Sequence, residues 1–302
     1  MNTPKLTVML PVYDAERYLR EAMDSILAQS FRDFELIAVD DGSGDKSAEI
    51  LDGYAAKDSR VRVIRQTNGG VSVGCNAAID AGSGQYLARM DADDIAWPDR
   101  FEKQVSYLDT HPKCVGLGTC FRIVDPEGRL LRVVSAPLTH EEIDARHASG
   151  KGLLSICNPS VMMRMDAVRT VGKYDVDFRS AHDIEIFLRL AEVGTLANLP
   201  DILFDYRMHM SSIGHAGRSK QLNFAWLAAK MAAQRRGTAF SEPEPDAQRS
   251  SERKVDIYRK WGWWALKSGE VAVARHYAGR VLLEAPTEKA NWHFAMIALR
   301  GG

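Results

Sequence analysis

Three carboxylates stand together in YLARMDADDIAWPDR (residues 86–100): Asp91, Asp93 and Asp94. Acidic side chains that follow an apolar run are costly to bury unless a cation meets them. Asp91 and Asp93, at i and i+2, can share one hard divalent ion, Mn²⁺ or Mg²⁺. Such an ion takes one or two carboxylates, several waters and the phosphate oxygens of a substrate. The same string also reads as an acidic cap on a helix that starts at Pro98, with Asp94 favouring its positive end. A calcium EF-hand is excluded, because its sixth position, counted from Asp91, requires glycine and here is Ala96. A second acidic pair, Asp40–Asp41, runs into Gly42-Ser43-Gly44, and its plainer reading is a turn followed by a helix cap. A third group, His182-Asp183, opens a helical pattern in which Ile184, Phe187, Leu188 and Ala191 share one face and Gly194 marks the stop. There Asp183 reads either as a helix N-terminal charge or as a group with chemistry of its own.

The elements that must carry these residues follow from periodicity. Leu6–Val12, residues 34–41, Val61–Arg65 and residues 86–90 are short apolar runs that predict strands. Between them, residues 15–29, a stretch around Ile50, Leu51 and Tyr54, and Val71–Ala81 predict helices. Strands alternating with helices mean βαβ units and a mainly parallel sheet. In such sheets ligands bind outside the carboxyl ends of the strands. Residues 11–14, Asp40–Asp41, residues 68–70 and residues 91–94 all fall at such ends, so four loops converge on one edge. The G-x-G-x-x-G fingerprint and the Walker A loop are both absent. What remains is a nucleotide site read by carboxylates and backbone.

The stretches LPVYDAERYLREAMDSILAQSFRDFELIAVDDGSGD (10–45) and NGGVSVGCNAAIDAGSGQYLARMDADDIAWPDR (68–100) resemble glycosyltransferase family 2. The resemblance is close over residues 5–110 and looser to about 215. It implies the A-type glycosyltransferase fold, a Rossmann-like, mainly parallel mixed sheet flanked by helices, acting on a nucleotide-sugar donor with inversion. By it, Pro11, Val12, Tyr13 and Asn68 would bind the nucleotide, and Asp41 would accept hydrogen bonds from the base. Asp91 would face the ribose or the metal, and Asp93 would ligate a divalent metal (Mn²⁺ or Mg²⁺) at the diphosphate. Asp183 would be the general base, and Arg207, His209, Ser211 and Ser212 would belong to a loop over the diphosphate. That loop reads equally as a polar surface segment. The chain departs from the family pattern where His182 replaces Glu, where Cys75 replaces the Arg before Asn76, and where no Q-x-x-R-W motif follows.

Length and composition set the frame. The chain has 302 residues, is 45% hydrophobic and carries a net charge of -1, so nothing points to nucleic acid. Cys75, Cys114, Cys120 and Cys157 lack C-x-x-C spacing and read as packed, reduced thiols of a cytoplasmic protein. MNTPKLTVML is too short an apolar run for a signal peptide, and no 18-residue apolar stretch predicts a membrane span. Residues 98–110 predict a helix with Pro98 at its first position, CVGLGT a strand, FRIVDPEGRLLRVV a hairpin, Thr139–Glu142 a capping box and residues 202–206 a late strand.

Residues 220–236 form a basic helix that reads either as packed with a solvated face or as lying on an anionic membrane. Residues 237–252 read as a linker. Three further helical patterns, broken at Ser268-Gly269 and Ala285-Pro286, resemble tetratricopeptide hairpins with Trp261, Trp263 and Trp264 as core. They suit protein binding or homo-oligomerisation. The chain thus divides into 1–215, 216–236, 237–252 and 253–302. The expected activity is inverting transfer of a hexose-type sugar, from a UDP-sugar by preference, to a hydroxyl of a saccharide or lipid-linked acceptor in surface polysaccharide synthesis. It would take place in the cytoplasm or at the inner membrane face. The rivals are a nucleotidyltransferase, disfavoured because PVYDAERY is neither glycine-rich nor basic, and a non-catalytic sugar-nucleotide-binding scaffold.

Overall fold

The computed structural model describes residues 3–210, 218–245 and 252–301. Its first half follows the apolar periodicity. Strands β1 (Leu6–Val12), β2 (Phe34–Asp40), β3 (Val61–Arg65) and β4 (Tyr86–Arg89) are parallel, ordered β3-β2-β1-β4, with Leu6 opposite both Phe34 and Tyr86. Helices α1 (Leu19–Leu27), α2 (Ser47–Ala55) and α3 (Val71–Ala81) connect them. Leu19, Ala22, Met23 and Ile26 form the buried face of α1.

The second half is mixed. From β4 the sheet continues through β8 (Met162–Arg164), β6 (Cys114–Val124), β9 (Thr195–Arg207) and β5 (Ile95–Ala96). β6 and β9 are parallel, whereas β8 and β5 run antiparallel to their neighbours. Strand β7 (Leu130–Val134) closes the expected hairpin, but CVGLGT and FRIV are one continuous strand, β6. The late strand begins at Thr195 rather than at 202. Pro200 disguised it, since proline cannot donate to a ladder and is confined to edges and bulges. Here it lies in a bulge, where the pairing steps from Thr119↔Leu199 to Cys120↔Ile202.

Helix α4 (Arg100–Thr110) starts two residues after Pro98, with Asp99 as its cap residue. α5 (His140–Ala148) has the expected Thr139 cap, whose hydroxyl accepts from the Glu142 amide. Two short elements had no readable period: a 3-10 turn (Asn158–Ser160) and α6 (Met165–Thr170). α7 (His182–Leu190) follows, with Ile184, Phe187 and Leu188 buried as expected. At Gly194 a Cβ would lie 2.4 Å from Val115 Cγ1 and 2.8 Å from the Lys113 carbonyl, which is why the turn there is glycine.

The basic helix α8 (Arg218–Arg236) is packed. Ala225, Ala228 and Ala232 are buried with Ile184 and Leu188 of α7, Arg235 pairs with Glu192, and Arg236 pairs with Asp144 and Glu192. Helices α9 (Lys254–Lys267), α10 (Val271–Glu284) and α11 (Lys289–Arg300) form the three-helix appendage. Trp261 is fully buried, edge-on to Tyr277 at 5.6 Å, while Trp263 and Trp264 are partly buried. The buried face of these helices joins the same apolar cluster as the sheet. Two hydrogen bonds reinforce the junction: Tyr277 Oη donates to Asp125 Oδ2 (2.8 Å), and Ser268 Oγ to the Leu131 carbonyl (3.3 Å).

Candidate active site

Pro11 and Val12 end β1, and Asp40 ends β2. Beyond β1 the chain turns through Tyr13, which is exposed, and Asp14, which has a positive φ of 47°. Reciprocal hydrogen bonds then stitch this loop to the one after β2. The Gly44 amide donates to Asp14 Oδ1 (2.7 Å), and the Asp14, Ala15 and Glu16 amides donate to Ser43, Ser47 and Asp45 side chains. Gly42, with φ 79°, lets this loop approach the third one: a Cβ there would lie 3.1 Å from the Asn68 amide nitrogen.

Asp41 is buried and already well satisfied. Its Oδ1 accepts from Gln66 Nε2 (2.7 Å) and the Gly69 amide (2.9 Å), and its Oδ2 from the Gly70 amide (2.8 Å). A carboxylate offers about four acceptor sites, so roughly one is left for a ligand donor. Asp41 therefore also places a negative charge at the N-terminus of α3, where the helix dipole favours it. Its neighbour Asp40 turns inward, and its Oδ1 accepts from the Ser43 amide (3.1 Å). Asn68 stands exposed in the same loop.

The acidic cluster after β4 is built around two buried guanidiniums, Arg89, which the sequence reading did not single out, and Arg207, which it placed in a loop over the diphosphate and which instead ends β9. Arg89, on β4, donates through Nε and Nη2 to Asp91 Oδ1 (3.1 and 3.0 Å), and its Nη1 lies 3.2 Å from His182 Nε2 and 3.5 Å from Cys75 Sγ. An arginine inside an otherwise apolar strand was the available signal, since such a charge needs a buried partner. Arg207, at the end of β9, donates from its backbone amide to Asp94 Oδ1 (2.7 Å) and from Nε to the Asp93 carbonyl (2.8 Å). Its Nη1 reaches the Pro126 carbonyl (3.1 Å) and its Nη2 Glu21 (2.5 Å). The Arg207 guanidinium thus shapes the cluster. His209 Nε2 lies 2.8 Å from Asp93 Oδ2, and its ring packs on Tyr18 at 5.3 Å. Ser211 and Ser212 lie outside the described residues.

Electrostatics mark this region as unusual. Burial pushes the Asp94 carboxyl well above the usual range, Asp93 and Asp91 push it further, and its Oδ2 has no partner among the described residues. Burial also raises Asp91, and Asp93 adds to this while Arg89 opposes it. Asp183, at the first turn of α7, is raised by burial, with the Ile184 amide and Arg89 acting the other way. Its neighbour His182 is driven down to about 3 by burial and by Arg89, so it is neutral. Because arginine can only donate, His182 Nε2 must accept and Nδ1 carries the proton. Ala181, which precedes it, holds a left-handed φ of 52°.

These residues suit a divalent ion of the Mg²⁺ or Mn²⁺ type. Asp91 and Asp93 would supply its hard oxygen ligands, and Asp94 Oδ2, with no partner among the described residues, belongs to the same cluster. Among the described residues no three His, Cys, Asp or Glu groups form a closed cage. Few protein ligands is the usual arrangement for an ion shared with substrate phosphates.

The sequence model of glycosyl transferase family 2 matches residues 7–172. EpsE of Bacillus subtilis (strain 168), which carries a provisional glycosyltransferase name, is 35% identical over 217 residues, covering 68% of this chain and 74% of its own. An uncharacterized glycosyltransferase of Haemophilus influenzae is 31% identical over 218 residues, covering 69% and 67%. Among solved structures, S. aureus TarS matches 98% of this chain with a TM-score of 0.61 and 16% identity, but this chain spans only 53% of it. A shorter TarS form, residues 1–349 in complex with UDP, matches with a TM-score of 0.59 and 17% identity, covering 99% of this chain and 92% of its own. The mannosyltransferase PcManGT of Pyrobaculum calidifontis, solved with GDP-Man and Mn²⁺, matches with a TM-score of 0.59 and 16% identity, covering 100% and 86%.

Proposed function

The chain belongs to glycosyltransferase family 2, with the A-type fold, and on that premise we propose that it is an inverting, metal-assisted transferase. It would move a hexose-type sugar from a nucleotide-diphosphate donor, a UDP-sugar by preference, to a hydroxyl of a saccharide or lipid-linked acceptor in surface polysaccharide synthesis. The observation that carries this reading is the meeting of Asp41, Asp91, Asp93 and Asp183 at one sheet edge, with Arg89 between Asp91 and the helix that carries Asp183. TarS, of the same fold, has been solved with UDP and with UDP-GlcNAc, and PcManGT with a guanosine donor, so the choice of UDP rests on this proposal.

In the proposed mechanism Pro11, Val12, Tyr13 and Asn68 frame the base, and the remaining acceptor site of Asp41 takes a base N–H. Asp91 and Asp93 would hold the divalent ion, which when bound neutralises charge on the leaving diphosphate. Asp183 takes the proton of the acceptor hydroxyl as its oxygen bonds to the anomeric carbon. The bond to the donor diphosphate breaks on the opposite face, so one displacement inverts the centre. Desolvation suits Asp183 to this role, because a raised carboxylate is a stronger base. Arg89 opposes that shift. Arg207 and His209 set the Asp93 backbone and side chain.

Calorimetry of UDP, GDP and dTDP with and without Mn²⁺, on wild type and Asp93→Ala, tests the site. One nucleotide should bind only with metal, and the variant should lose that binding. Binding of no nucleotide under any condition would overturn the enzyme reading. The rival, a non-catalytic nucleotide-sugar binder, draws on Cys75 and His182. It predicts donor binding without donor hydrolysis or transfer.

A further inference from the structure

The C-terminal helices present an apolar stripe that no described part of the chain covers. On α11 Trp292 is 52% exposed, Met296 50% and Leu299 64%, while Asn291, Phe294, Ala295 and Ala298 face inward and are buried. The spacing i, i+4, i+7 is that of a face turned to an apolar partner, yet the core side of this helix is already filled. At Gly262 a Cβ would come 2.2 Å from the Phe294 ring, so α9 and α11 meet closely on that inner side. Leu283, near the end of α10, is 83% exposed. The Trp292 indole N–H donates to the Pro286 carbonyl (2.7 Å), so what the residue shows to solvent is apolar ring.

Charge identifies the kind of partner. Residues 253–300 hold nine Lys and Arg against four Asp and Glu, a net charge of +5, in a chain whose overall net charge is -1. Arg253, Lys254, Arg259 and Lys260 are tied to nearby carboxylates. Arg275, Lys289 and Arg300 have no carboxylate partner among the described residues. Lys289 and Arg300 are the first and last residues of α11. Arg275 donates to the Ala298 and Leu299 carbonyls (3.3 and 2.8 Å), which brings its charge to the far end of the stripe. An exposed apolar stripe bracketed by uncompensated cations matches an anionic lipid surface.

We propose that this face of α11 docks on an anionic bilayer. Trp292, Met296 and Leu299 enter the boundary between headgroups and acyl chains, and Arg275, Lys289 and Arg300 meet lipid phosphates. A second copy of the chain is the poorer occupant, since apposing two such faces brings unpaired cations together. Helix α8 is not needed, because its apolar face and its last two arginines are engaged within the chain. The docking face belongs to the unit whose Tyr277 holds Asp125, in the hairpin whose Pro126 carbonyl accepts from Arg207. Docking would therefore fix the acidic cluster relative to the lipid, and it requires neither donor nor turnover.

Co-sedimentation of the full chain with phosphatidylcholine vesicles, with and without phosphatidylglycerol, tests the proposal. Wild type should pellet with the anionic vesicles and be released by salt. Trp292→Ser/Leu299→Ser should lose about tenfold in binding, and Lys289→Gln/Arg300→Gln, which keeps the stripe, should weaken it too. Nucleotide binding should be unchanged in both, which separates this result from that of the donor site. No pelleting of wild type, or equal pelleting of all three proteins, would overturn the proposal. So would self-association in sedimentation equilibrium that the serine variant abolishes, because a second copy would then cover the face.

Discussion

Replacing Arg89 by methionine asks whether one buried cation holds the acidic cluster together. The side chain is 2% exposed and makes two hydrogen bonds to Asp91 Oδ1 and one contact to His182 Nε2. Removing one partner of a fully buried ion pair costs about 3–5 kcal/mol. The Asp91 side chain keeps 30% of its surface in solvent, which screens the stranded charge. The cost is therefore nearer about 2 kcal/mol, or about 4 °C in Tm for a chain of this size. The loss should be full at neutral pH and shrink as acidification protonates Asp91, whose carboxyl burial already raises. The assay is urea unfolding of wild type, Arg89→Met, Asp91→Asn and the double variant. If Arg89 acts through Asp91, the double variant recovers about 1 kcal/mol or more relative to the sum of the singles. Additivity within about 0.5 kcal/mol would refute the reasoning.

Other outcomes are expected of the same site. Asp183→Asn should lower kcat about 10²–10⁴-fold and leave nucleotide affinity within about twofold, as titration calorimetry would show. Because the Asp183 carboxyl is raised, the acidic limb of the kcat profile should lie above the ordinary Asp range near about 3.9. His182, lowered from 6.5 to about 3, contributes stability that is present above the unfolded value and lost as pH falls toward the folded one. His182→Gln should therefore flatten the stability curve below about pH 6.5, by up to about 3 kcal/mol at pH 4, measured by urea melts. UDP and Mn²⁺ together should raise Tm by about 5 °C at a hundredfold excess over Kd, well beyond the sum of their separate effects in differential scanning fluorimetry. Chelation should abolish the gain.

The first four strands were legible because each is a short apolar run that ends in turn residues or carboxylates, and the register places those ends on one edge. The candidate aspartates Asp41, Asp91 and Asp93 stood out for the same reason: a carboxylate following a buried strand is a local signal. The rest depended on pairings that sequence distance conceals. Asp41 accepts three hydrogen bonds from Gln66 and two glycine amides, and Asp93 meets His209 across more than a hundred residues. Strand β8 is three residues long and β5 two, below any readable period. The proline bulge in β9 hid seven residues of strand ahead of Ile202. The three helices after the linker were readable as helices, but their merger with the sheet core rests on Tyr277 and Asp125, which no local pattern joins.

The departure at Cys75 acquires a physical sense from Arg89. Its thiol is buried and pushed up to about 11, so it is a neutral, compact group against which a guanidinium from β4 can lie. A cation entering from the strand rather than from α3 reaches both Asp91 and His182, and so joins the metal-proposed cluster to the helix that carries Asp183. A glutamate at 182 would compete with Asp91 for that guanidinium, whereas a neutral imidazole accepts from it and leaves Asp91 as its anionic partner. Cys75, Arg89 and His182 thus pack as one unit drawn from three elements.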